Sequence, residues 1–179
     1  MTSRRSVLIG LAVAIAAFAA THLLPIPGSV RALMESMGGQ PIFDMEPSFS
    51  SDEVYERLAA FGEVGRAAYR HTVVTTDIIF PACVAAFLFL LARFTADRLD
   101  VSRGLRALLL ALPIAYFLSD MTENVAIFVL LSDYPERHEI IGGGLGYLTV
   151  IKRAAQAASL LLPASLFLIH KVRQPSPRR

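Results

Sequence analysis

Thr72–Phe94 reads TVVTTDIIFPACVAAFLFLLARF, and no charged residue stands between Asp77 and Arg93. A bilayer core about 30 Å thick is crossed by roughly 20 mostly apolar residues in a helix. A soluble helix shows a polar face every three or four residues, and this stretch has none over most of its length. It reads as a membrane span. Three further blocks share its character: Val7–Leu24, Leu105–Leu131 and Leu145–His170. Backbone polar groups in hydrocarbon must satisfy one another, so each block should be a helix. The sequence therefore predicts an all-α fold, a four-helix transmembrane bundle forming a single membrane domain over residues 1–179. The spans fall at about 7–24, 72–94, 105–131 and 145–170, with a long loop over 25–71.

Composition agrees. Hydrophobic residues make up 54% and charged residues 18%, against about 25% charged in soluble proteins. The net charge is only +2, and no basic stripe offers a nucleic-acid footprint. The single cysteine, Cys83, lies inside an apolar block and excludes an intrachain disulfide.

Orientation follows from the basic flanks. Arg4 and Arg5 precede the first span, and Arg93, Arg98, Arg103 and Arg106 surround the connection between the second and third. Lys171, Arg173, Arg178 and Arg179 follow the fourth. Arg31, Arg57, Arg66, Arg70 and Arg137 fall on the other side, diluted by acids. Both termini are thus expected in the cytoplasm and the loop outside, the arrangement of a bacterial inner-membrane protein. One rival concerns Ser3-Arg4-Arg5-Ser6-Val7-Leu8, which looks like a twin-arginine export signal with a cleavage site at Ala17-Phe18-Ala19. An uncleaved first span is the expectation.

Within the loop, Pro25, Pro27, Gly28, Gly38, Gly39, Pro41 and Pro47 predict irregular chain, with a helical turn or two over Arg31–Met37. Ser50 to Glu53 fits a capping box, and Phe49 with Val54 fits a hydrophobic staple. Val54, Leu58, Phe61 and Val64/Gly65 then form an apolar stripe at helical spacing. This outer-face helix is expected to run without a break into the second span.

The candidate functional residues are polar groups inside the spans, where a charge costs about 2.5–3.5 kcal/mol unless it meets a partner or a cavity. Asp120, Glu123 and Asn124 share one face of the third span. Thr149, Lys152, Gln156 and Ser159 form a stripe on the fourth, with Arg153 beside it, and the second span carries Asp77. At a rise of about 1.5 Å per residue, Asp77, Lys152, Glu123 and Asp120 lie roughly 8, 10, 12 and 16 Å below the outer boundary. All fall in the outer half, so they are expected to meet around a polar pocket open to the outside. Asp77, Asp120, Glu123 and Lys152 are the catalytic candidates, since a buried carboxylic acid beside an ionised partner suits acid/base work. Arg66, Tyr69, Arg70, Asn124, Arg153 and Gln156 are the ligand-binding candidates, with Arg66 and Arg70 placed to close the pocket from above. Pro81 frees the carbonyl of Asp77 at a kink, and Pro113 and Pro163 do the same for Leu109 and Ser159.

Other signals are weaker. Gly142-Gly143-Gly144-Leu145-Gly146 lacks the strand and the Gly-Lys-Ser/Thr continuation of a phosphate loop, and suggests a flexible approach to the last span. His22, His71 and His138 have no metal-ligand spacing, no metal is assigned, and no cofactor is indicated. Three function classes remain: a pocket for a small amphipathic ligand or membrane lipid, with or without acid/base chemistry; a structural or assembly subunit whose charges hold the bundle, with a protein partner or a second copy of the chain; and a proton-coupled transporter or relay. Nucleic acid is not an expected partner. Whether the chain is an enzyme stays open at this stage.

Overall fold

In a computed structural model the chain is described over residues 2–173, so the tail residues Arg178 and Arg179 lie outside the described residues. The elements are α1 (Arg4–Phe18), α2 (Val30–Ser36), α3 (Ser51–Ala60), α4 (Gly62–Val73), α5 (Thr76–Arg98), α6 (Arg103–Asp133) and α7 (Glu139–Arg173). No strand occurs among the described residues. A π-helical turn, Ala19–Leu23, continues α1 up to the first proline of the loop.

Four helical stretches among the described residues are long and apolar enough to cross a membrane: Arg4–Leu23, Gly62–Arg98, Arg103–Asp133 and Glu139–Val172. They fit an integral membrane protein. Their burial pattern is inverted relative to a soluble bundle. Leu8, Ile15, Ile79, Ile114, Leu118, Val125 and Leu161 point outward, while Thr95, Asp120, Glu123, Thr149 and Lys152 are buried. Apolar surface on this scale is rare on a soluble monomer.

Packing follows chain order: α5 lies on α6, α6 on α7, and α1 along α5. No comparable packed seam joins α1 to α7. At the end carrying the chain termini, Asp97 accepts from the Thr2 backbone N–H at 3.0 Å and pairs with Arg106 at 2.9 Å, tying α1, α5 and α6 together.

Residues 25–71 at the opposite end form a packed cap. Leu33, Met37, Phe43, Leu58, Phe61 and Tyr69 bury themselves against Ile127, Leu130 and Leu145 of the long helices. The expected turns near Arg31–Met37 are present as α2, capped by Ser29.

Several expectations for this end need correction. The outer helix does not run unbroken into the second span. It turns at Gly62, whose φ of 66° favours glycine, and breaks again at Val74 and Thr75 before α5. The capping box at Ser50 forms, with Glu53 N–H donating to its side chain, but the Glu53 carboxylate reaches one residue further, to the Phe49 N–H. The staple does not form: Val54 is buried, whereas Phe49 turns away to meet the Tyr147 ring edge-on. Val64 is exposed, so Gly65 rather than Val64 completes the apolar stripe.

The glycine run also departs from expectation. Residues 142–146 lie within α7 and do not form a flexible approach. Their smallness lets the cap dock: the Gly146 N–H donates to the Ser48 carbonyl at 2.9 Å, and a Cβ at Gly146 would stand 2.5 Å from that oxygen. A Cβ at Gly143 would meet nothing within 4 Å. Gly146→Ala should therefore lower stability by about 1–3 kcal/mol through overpacking. Gly143→Ala should be neutral or slightly stabilising, since alanine is the better helix former. Unfolding of the two variants in one detergent checks this, and equal midpoints would refute the docking role of Gly146.

Candidate functional site

The site is built from the polar faces of α6 and α7 where they pack together. Asp120, Glu123 and Asn124 are all buried on α6, as their spacing predicts. Thr149 and Lys152 face them from α7, and only 6% of Lys152 is exposed. The Lys152 ammonium meets three carboxylates: Glu123, Asp120 at 3.3 Å, and Asp44. Lysine has three N–H donors, so each can face one acid. Thr149 donates to the other oxygen of Glu123, which is wholly buried. Ion pairs withdrawn from water hold only when the partners are this complete.

Asp44 is the member that sequence reasoning missed. It comes from the loop that was expected to be irregular, between the buried Phe43 and Met45. The segment around it is a strap pinned from three helices. Arg57 of α3 donates to the carbonyls of Glu46 and Pro41 and to Ser48 Oγ, and its guanidinium lies 4.4 Å from the Phe43 ring centroid. Burial pulls the Arg57 pKa below its ordinary value, while Glu46 acts in the opposite direction. Tyr69 of α4 accepts from the Phe43 N–H at 3.2 Å and stacks on that ring. Arg153 of α7 donates to the carbonyls of Asp44 and Met45. The available signal was a lone acid in the otherwise uncharged run Pro41 to Met45.

Asp77 joins the site from α5. As Pro81 dictates, its carbonyl lacks a helical donor, and the Asn124 amide supplies one at 3.3 Å. Its carboxylate faces a cavity of about 180 Å³ shared with Asp44, Asp120, Lys152, Arg153 and Gln156. His22, Phe80 and Tyr116 complete the walls, and His22 packs between Phe18 and Phe80.

The predicted residues thus divide. Asp77, Asp120, Lys152, Arg153 and Gln156 line one cavity, with Glu123 and Asn124 directly behind it. Tyr69 acts at one remove, by holding the strap. Arg66 and Arg70 do not close the cavity. Arg66 lies over the Tyr134 ring at 4.1 Å and donates to the Leu58 carbonyl, because α4 turns its side chain toward the α6 terminus; Arg70 is exposed on α4. The cavity wall also takes in Val30, Ile42, Asp44 and Met45 of the loop, which the expectation of an outward-open pocket did not include. The histidines are dispersed: His138 pairs with Asp133, His71 is exposed, and His22 stays in the cavity wall.

The carboxylates of Asp44, Asp120 and Glu123 offer oxygens within 4.8 Å of one another, close enough to hold a cation. The Lys152 ammonium already stands among them. The protein supplies that cation itself.

The cavity has a lateral neighbour. A groove of about 400 Å³ runs between α1 and α7 with α5 as its floor, lined by Leu11, Ala14, Ile15, Phe18, Val84 and Leu160 among others. Phe80, Arg153 and Gln156 belong to both walls. The groove exists because α1 packs on α5 and not along α7.

Comparison with protein families, with curated proteins and with solved structures finds no match to this chain. Function must be read from the site.

Lys152→Met should strand three carboxylates and cost about 3–5 kcal/mol. Asp44→Asn removes only the strap's contribution. In a double-mutant cycle the two should couple by more than about 1 kcal/mol. Additive effects would show that Asp44 and Lys152 act independently.

Proposed function

We propose that this chain is an integral membrane protein that binds a small amphipathic ligand or lipid, with its polar end in the cavity beside Lys152 and its apolar part in the α1–α7 groove. The observation that carries this reading is the adjacency of the two spaces, which share Phe80, Arg153 and Gln156 as wall residues. Small-molecule sites are concave and mostly apolar, with a few convergent polar groups. Here the polar and apolar parts are segregated, as they are in an amphiphile.

The basic flanks support an orientation with both termini in the cytoplasm of a bacterial inner membrane. The cap and the cavity then lie toward the outer face, and the groove faces lipid. Ligand would enter sideways from the bilayer under the Asp44 strap. If the ligand is transformed, Asp77 and Asp120 are the acid/base candidates because they line the cavity, with Lys152 available to stabilise negative charge. Glu123, held by Lys152 and Thr149, is a positioning group in that scheme.

One observation favours a second reading. The three donors of Lys152 are matched by three protein carboxylates, which is what a purely structural lock in an assembly subunit would require. Native mass spectrometry in mild detergent separates the two. Wild type should retain a lipid or small molecule, and Ala157→Phe, which fills the groove wall, should release it while staying folded. A bare wild-type chain, or one that carries only a protein partner, would support the structural lock and reject the binding site. Orientation is tested independently by reporter fusions at each end. Activity of a cytoplasmic reporter is expected at both, and a periplasmic signal at either would reverse the proposed topology.

A further inference from the structure

We infer that the cavity selects an ammonium-bearing amphiphile, with the Asp77 carboxylate as the receiving anion. The inference rests on the binding reading above and specifies the headgroup. Three acids line the cavity, Asp44, Asp77 and Asp120, against two strong bases, Lys152 and Arg153. Lys152 is surrounded by its three carboxylates, and one nitrogen of Arg153 is given to the carbonyls of Asp44 and Met45.

The acids, by contrast, are not all engaged. Among the described residues no hydrogen bond or ion pair reaches the Asp77 carboxylate; the Asn124 contact goes to its backbone. Asp120 is 5% exposed, and its Oδ2 is buried without a hydrogen-bond partner. A buried polar atom left in this state carries a desolvation penalty that no hydrogen bond offsets, larger when the group is charged. An entering N–H donor would relieve that cost. An entering phosphate or carboxylate would add a further negative group beside these acids, where like charges repel.

The walls point the same way. Phe80 and Tyr116 place aromatic rings beside these acids. Aromatic faces attract ammonium groups and repel anions. The cavity, about 180 Å³, is small. It suits a headgroup of a few heavy atoms, since one water occupies about 30 Å³ in the liquid. The same ammonium chemistry is offered by a free alkylamine and by an ethanolamine phospholipid.

The test uses the full chain in neutral detergent, titrated by native mass spectrometry with dodecylammonium, dodecanol and dodecyl phosphate. A parallel arm compares retention of phosphatidylethanolamine and phosphatidylglycerol. Dodecylammonium should bind at least tenfold more tightly than either matched probe. Asp77→Asn should remove most of that preference while leaving dodecanol affinity unchanged. Retention of phosphatidylethanolamine over phosphatidylglycerol would identify a lipid source for the ammonium; indifference between them, with the amine still preferred, would identify a free amine. Equal binding of the three dodecyl probes, or preference for the phosphate, would overturn the ammonium assignment and leave the amphiphile reading standing. Binding of none of them, with no lipid retained, would overturn both. A preference for the amine that survives in Asp77→Asn would place selectivity outside this cavity and overturn the role given to Asp77. Should that variant fail to fold, the wild-type ranking of the three probes still decides the headgroup class.

Discussion

The rest of the molecule is arranged around one buried ammonium. Lys152 cannot be left bare in a space this dry, and its three carboxylates come from two helical turns of α6 and from a loop more than a hundred residues away in sequence. That requirement fixes the facing of α6 against α7. It also brings the Asp44 strap down onto the bundle, because the α6 acids alone leave one donor of the lysine unmatched. Removing any member leaves another charge stranded, so these groups behave as a unit.

The strap itself is irregular chain whose backbone groups must all find partners away from water. Arg57, Tyr69 and Arg153 satisfy its carbonyls and amides, and Gly146 allows its close approach to α7. Phe43 and Ile42 anchor it in the apolar cap. The cap is thus a precondition of the ion cluster: without Tyr69 and Phe43 in place, Asp44 has no fixed position from which to meet Lys152.

Function depends on what this arrangement leaves incomplete. The tight pairing of α6 with α7 sits beside a loose seam between α1 and α7, where α5 alone forms the floor. A polar cavity with an unengaged Asp77 carboxylate lies against that seam. Both features follow from helix packing: Pro81 diverts Asn124 to the Asp77 carbonyl and leaves the carboxylate facing the cavity. A fully complementary bundle would have closed the seam with small residues or neutralised the acid.

The sequence by itself determined the long apolar helices, the inward polar stripes of α6 and α7, and the level at which Asp77, Asp120, Glu123 and Lys152 lie. These properties are local or periodic, and hydropathy, helical spacing and rise per residue are enough to read them. Tertiary structure alone decided that Asp44 completes the cluster, that Arg66 leaves it for Tyr134, and that Val30, Ile42 and Met45 of the loop join the cavity wall. The physical reason is that a loop's path is set by distant partners rather than by its own residues. Gly62 shows the same limit at a smaller scale: a glycine at helical spacing is tolerated in a helix or turns the chain, and only the packing of Phe61 and Tyr69 against Phe43 selects the turn.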